Sequence, residues 1–115
     1  MTSWSPDELG ELNRAGSLRL TAGSPPGWET ELGMVTVDGQ LYVRAYRGPS
    51  SRWFQAAQDA GTGKITAGTL TRAVRLIPDP GPVGTIDDAY RAKYGNGSLV
   101  ASPQARAATL RIDPA

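Results

Sequence analysis

The sequence predicts an α+β fold, mainly β, organised around antiparallel hairpins, and three observations carry that expectation. First, "ELGMVTV" and "QLYVRAY" alternate on either side of Asp38-Gly39. An Asp-Gly pair between such runs is the favoured two-residue hairpin turn, because both central positions take positive φ. Second, "GKITAGTLTRAVRLI" reads as another hairpin, turning near Ala67-Gly68. Third, Trp53, Phe54, Ala56, Ala57 and Ala60 recur at helical spacing opposite Gln55, Gln58 and Asp59.

The elements follow in chain order. In "WSPDELGEL", Ser5 suits the N-cap, Pro6 the first helical position and Glu8 the reciprocal position of a capping box, with Trp4 and Leu9 at the two staple positions. Gly16 ends that helix. Leu18 and Leu20 alternate with Ser17, Arg19 and Thr21 as a first strand, and "AGSPPG" is a loop. In the first hairpin, Met34 should face Val43 and Thr36 should face Leu41. Those four, with Leu32 and Ala45, form one face; Val35, Val37, Tyr42, Arg44 and Tyr46 form the other. A face of valine, tyrosine and arginine calls for a cover, either another subunit or a ligand. The helix from Ser50 or Ser51 to Ala60 closes at Gly61. In the second hairpin Leu70, Val74 and Leu76 share a parity, which Arg72 interrupts. "PDPGPVG" is a stiff loop, Thr85 caps a helix through Tyr94 with Asp87 and Arg91 spaced to pair, and Gly95 stops it. "GNGS" is a turn, Ser102-Pro103 opens a short helical turn, and "ATLRI" returns as a strand.

Composition narrows the chemistry. The length of 115 residues fits one domain spanning residues 1–115. There is no cysteine and no histidine, so disulfides, thiolate metal sites and histidine-based catalysis are excluded, and no metal site is expected. A net charge of +1 argues against nucleic acid as a partner. Ten of the twelve basic residues are arginine, whose planar forks suit oriented anions; a GC-rich genome gives the same excess. No apolar run is long enough to cross a bilayer, and the expectation is a cytoplasmic protein without a membrane partner.

The strongest local signal is the junction from Arg47 to Trp53. Free amides at a helix N-terminus attract a phosphate or carboxylate. The hydroxyls of Ser50 and Ser51 and the guanidinium of Arg47 could add donors there. Arg52 stands in the first turn, where the helix dipole disfavours a cation unless an anion is bound. The plain alternative is a serine-capped helix with Arg52 in water. Tyr42 and Tyr46 flank Arg44 on one strand face, an arrangement suited to holding a ring system or to forming a subunit interface. These tyrosines are the candidate hydrogen-bond donors to a substrate. Lys64 could reach the same anion, although a lysine at a strand start is more often solvated. Asp87 and Asp88 read as first-turn residues that stabilise a helix rather than as a catalytic dyad.

Three blocks, "LYVRAYRGPSSRWFQAAQDAGTGKITAG", "DDAYRAKYG" and "SPQARAATLRI", resemble the bacterial domain-of-unknown-function family 2255, with similarity from about Trp4 to Ile112. That family resembles the flavin-binding split-barrel group, which includes pyridoxamine-phosphate-oxidase-like proteins and deazaflavin-dependent nitroreductases. The resemblance implies a six-stranded antiparallel split barrel with peripheral helices, a homodimer, and a cofactor groove at the subunit boundary. It also implies that Arg44, Tyr46, Arg47, Ser50, Ser51 and Trp53, with Lys64 and Thr66, contact flavin mononucleotide (FMN) or a deazaflavin. Where the nitroreductases carry Gly-x-x-Lys-x-Pro-x-Trp, this chain has "RGPSSRW". The leading expectation is an oxidoreductase acting on a small organic molecule. The alternatives are a cofactor-free binding protein, isomerase or cyclase using the same pocket, and a structural dimer without a ligand.

Overall fold

In the computed structural model, Ser5 opens the first helix with the full capping box: the Glu8 amide donates to Ser5 Oγ and the Ser5 amide to Glu8 Oε1. The structure describes residues 3–23, 28–95 and 102–115. Its elements are α1 (Pro6–Arg14), β1 (Leu18–Ala22), β2 (Trp28–Leu32), β3 (Met34–Val37), β4 (Gln40–Arg44), α2 (Arg52–Ala60), β5 (Thr62–Ala67), β6 (Leu70–Pro78), α3 (Val83–Tyr94), α4 (Pro103–Ala107) and β7 (Thr109–Pro114). The turn expected at "GNGS" lies outside the described residues beyond Gly95.

The strands form one antiparallel sheet in the order β2-β1-β5-β6-β7-β4-β3. Its two outermost strands are consecutive in the chain, separated only by Gly33. The segment 28–37, expected to continue as one strand from Glu31, therefore divides its pairing: its first part pairs with β1 and its second with β4. Counting it as one bent strand gives six strands curled into a split barrel. The fold is mainly β, as the sequence predicts.

Asp38 and Gly39 both take positive φ, at 53° and 77°, and Met34 faces Val43 while Thr36 faces Leu41. The second hairpin turns one residue later than expected, at Gly68-Thr69, with Ala67 opposite Leu70. Leu18, Leu20, Met34, Leu41, Val43, Ile65, Val74, Leu110 and Ile112 fill the barrel interior, joined by Leu12 of α1 and by Phe54 and Ala57 of α2. Trp4 is buried as well, and its indole N–H donates to the Ile112 carbonyl at 2.9 Å. Arg72, the break in the β6 pattern, bonds Glu8 of α1 and lies over the Trp4 ring. Its charge is matched by a helix rather than left to water.

Most of the valine–tyrosine face has its cover within the chain, where a second subunit or a ligand was the expectation; Tyr46, at its end, stays 50 % exposed. Val35, Val37 and Tyr42 pack against Ile86 and Tyr90 of α3. Helix α3 also begins earlier than expected, with Pro82 rather than Thr85 at its N-cap. Asp87 and Asp88 consequently lie beyond the first turn. Asp87 does not pair with Arg91, which instead bonds Asp88.

Splitting the pairing at Gly33 leaves two wedges. One lies between β3 and the chain before β1, and Tyr94 closes it: its hydroxyl accepts from the Met34 amide at 2.9 Å and lies 2.7 Å from the Gly16 carbonyl, to which it donates. Lys93 Nζ adds a bond to the Met34 carbonyl. Tyr94→Phe is expected to strand the Met34 amide and lower stability by about 1 to 2 kcal/mol, read as a shifted urea midpoint with an unchanged slope. The other wedge stays open.

Candidate functional site

The open wedge follows from the register. Continued beyond Met34–Val43, the β3–β4 pairing would set Glu31 against Tyr46 and Thr30 against Arg47. Instead, β2 peels away to β1 while the chain after Arg44 turns toward α2. The result is a cleft of about 670 Å³, with Thr30, Glu31, Leu32 and Gly33 on one wall and Arg44, Tyr46, Arg47, Ser50, Ser51, Arg52 and Trp53 on the other. That volume falls within the range of small-molecule sites.

The second wall is a turn held from behind. Gly48 takes φ +87° and packs so closely on Gln104 of α4 that a Cβ there would lie 3.1 Å from the Gln104 Cβ. Gln104 Nε2 donates to the Tyr46 carbonyl at 3.0 Å, and the Ala45 amide to the Ala108 carbonyl at 3.0 Å.

Ser51 is the N-cap of α2, yet its side chain makes no capping bond. The first intrahelical bond runs from the Gln55 amide to the Ser51 carbonyl, so the amides of Arg52, Trp53 and Phe54 precede the ladder. Ser51 is 9 % exposed and lines the cleft, and its hydroxyl neither caps the helix nor bonds another described residue. Arg47 and Arg52 have no carboxylate partner among the described residues. Arg47 lies over the exposed Tyr46 ring, 5.6 Å from its centroid. Trp53 is half-buried and meets the core residue Phe54 edge-on. Ser51 thus stands at the N-cap without the capping bond of an ordinary serine-capped helix, while Arg52 is exposed, as the plain alternative has it.

Arg44 occupies a different position. Its side chain is fully buried, bonded to Asp87, with Nε donating to Thr109 Oγ1 and Nη2 to the Val83 carbonyl. Asp87 is shared with Arg106 of α4. Burial by itself would raise the Asp87 carboxyl pKa, but the hydrogen bonds and charges of Arg106 and Arg44 outweigh it and hold the group below its ordinary value. Arg44 adds to the wall of the cleft while its charge is answered from behind.

Of the residues expected to meet a cofactor, Arg44, Tyr46, Arg47, Ser50, Ser51 and Trp53 come together on one wall. Lys64 and Thr66 do not: both lie on β5, where Lys64 faces Thr21 and Ala73, and Thr66 pairs with Thr71. Tyr42 is buried beneath α3, outside the cleft, and burial is the main cause raising its hydroxyl pKa. Reading the residues alone missed the opposite wall. Its signal was Gly33, an interruption in an otherwise continuous alternating run.

The family model for uncharacterised proteins conserved in bacteria, DUF2255, matches residues 8–112. The chain belongs to that family. No curated protein matches the sequence. Among solved structures, the DUF2255 chain is similar to the conserved hypothetical protein Rv2991 from Mycobacterium tuberculosis, with a TM-score of 0.63 and 11% identity over 99% of this chain and 81% of that one. A putative 5-nitroimidazole antibiotic resistance protein from Bacteroides thetaiotaomicron gives a TM-score of 0.62 and 12% identity, again over 99% and 81%. An F420 reductase gives 0.56 and 14% identity over 91% of this chain and 89% of that one. At such identities the likeness of the DUF2255 chain to these proteins is one of fold. Among the described residues, no helix is long and apolar enough to cross a membrane, and no cluster of acidic side chains could hold a metal ion.

Proposed function

We propose that the cleft binds FMN or a deazaflavin by its phosphate, and that the protein is an oxidoreductase acting on a small organic molecule. The observation that carries this reading is the first turn of α2, without a side-chain cap, which lines a cleft of cofactor size together with Ser51 and with Arg47, a residue that has no carboxylate partner among the described residues. The residues fit the anionic end of such a group: a helix start, a serine and an arginine share one wall of the cleft. Trp53 and Tyr46 are the aromatic side chains available to border a ring. A bound flavin would supply the hydride chemistry. The chain itself would orient the group through Arg47 and Ser51 and limit the approach of water through Trp53. A homodimer that completes the cleft belongs to the same proposal, and light scattering tests it.

The burial of Tyr42 favours a second reading. The part of the strand face around Tyr42 is taken by α3, which leaves less room for a ring, so a smaller anionic metabolite without a flavin would use the same amide turn.

Purified protein should quench added FMN or deazaflavin fluorescence at micromolar concentration. Arg47→Ala combined with Ser51→Ala should weaken that binding by about tenfold or more while leaving the melting temperature of the free protein within a few degrees. Absence of quenching, with thermal stabilisation by an anionic metabolite, would move the conclusion to the second reading. Absence of both would remove the binding site altogether.

A further inference from the structure

The cleft carries charge of both signs. Arg47 and Arg52 line the α2 wall, and Glu31 lines the β2 wall. Glu31 has no cation partner among the described residues, although one is near: Arg19 stands opposite it in the β1–β2 register and pairs with Glu29 instead. Ser17 Oγ donates to Glu31 Oε2 at 2.7 Å, which fixes the carboxylate and leaves Oε1 without a partner among the described residues. Elsewhere most arginines meet a carboxylate, as Arg72 does with Glu8 and Arg111 with Asp79 and Asp113. Three residues without an opposite charge among the described residues therefore line one hollow, two basic and one acidic, on facing walls.

We propose that the ligand is bipolar: an anion at the end held by α2, and an N–H donor at the other end read by the Glu31 carboxylate. This rests on the anion-binding reading above and adds the recognition of the opposite end. A carboxylate held by a serine accepts a hydrogen bond from an amine or imide and repels a second anion. The site thus selects against ligands that are anionic at both ends. Two kinds of compound share the required chemistry, an aminoalkyl phosphate and a flavin phosphate with its ring imide.

Four probes separate them: pentyl phosphate, aminopentyl phosphate, FMN, and FMN methylated at its imide nitrogen. Affinities are read by calorimetry for the wild type, Glu31→Ala and Glu31→Gln. Glu31 is on an exposed strand position, so melting of the free variants serves as the folding control. The expected result is that at least one donor-bearing probe binds about tenfold tighter than its donor-less partner, and that Glu31→Ala abolishes the preference. An amine preference also lost in Glu31→Gln identifies a cationic end. An imide preference retained in Glu31→Gln, whose carbonyl still accepts, identifies the flavin. If neither preference exists, or if one persists in Glu31→Ala, the bipolar ligand is overturned, while pentyl phosphate binding that depends on Arg47 leaves the anion site standing. If no phosphate ester binds to the wild type, both readings fall.

Discussion

Replacing Asp87 by alanine is expected to destabilise the protein by about 3 to 5 kcal/mol, because it leaves the buried Arg44 guanidinium without its counter-charge. In a chain of this size that corresponds to a fall in melting temperature on the order of 10 to 20 °C. The Arg44 side chain has no exposed surface, and Asp87 is the one carboxylate it shares with Arg106. Asp87→Asn should recover part of the loss through its amide oxygen. The pH dependence has a definite sign. Since the folded protein holds the Asp87 carboxyl below its ordinary value of 3.8, the ionised form is favoured by folding. Its contribution is complete above that ordinary value and is lost as pH falls through the lower, folded one. The gap in urea midpoint between wild type and Asp87→Asn should accordingly shrink below about pH 4. A gap that stayed constant through that range would show that the carboxylate charge is not what stabilises Arg44.

Gly63→Ala should produce the second large effect, about 3 kcal/mol of destabilisation, together with weaker ligand binding. Gly63 lies opposite Ala22 where β5 pairs with β1. A Cβ built on it would fall far inside van der Waals contact with the Thr21 carbonyl oxygen and 3.3 Å from the Ala22 Cα. Both neighbours are main chain, so no rotamer change relieves the overlap; β1 itself must move. Because β1 also holds β2 by five register pairs, the displacement reaches the Glu31 wall of the cleft. Denaturant unfolding combined with phosphate-ester affinity checks this. A Gly63→Ala protein that is destabilised yet binds normally would mean that β2 does not follow β1.

The hairpins, the capping box and the α2 periodicity were legible because each is a local pattern. Asp38-Gly39 needs only its own backbone, and Ser5 to Glu8 is one helical turn. The residues from Arg44 to Trp53 were legible for the same reason: they are neighbours in the chain, and the amides of a helix start come with the helix. What could not be read depends on pairing across long separations. The commitment of Arg44 to Asp87 joins positions 43 residues apart, and "DDAYRAKY" shows an equally good local partner for Asp87 in Arg91. The cover over Tyr42 comes from α3, which a periodicity argument cannot place on one face or another. The resemblance sets Lys64 and Thr66 near the cofactor, and the residues alone allow Lys64 to reach an anion, but the strand order puts β5 on the far side of β1 from β2. The Glu31 wall exists because a single run changes partners at Gly33, and alternation looks the same whichever strand lies alongside.

The Gly33 break also bears on how such molecules avoid sticking to one another. An open sheet presents two rows of unsatisfied main-chain groups, the usual seeds of strand-to-strand adhesion. Here both rows belong to one ten-residue stretch: the Met34 amide and carbonyl are bonded by Tyr94 and Lys93, and the other row opens into a recess with acidic and arginine residues in its walls. Neutralising those residues would therefore remove a safeguard against edge-to-edge strand pairing.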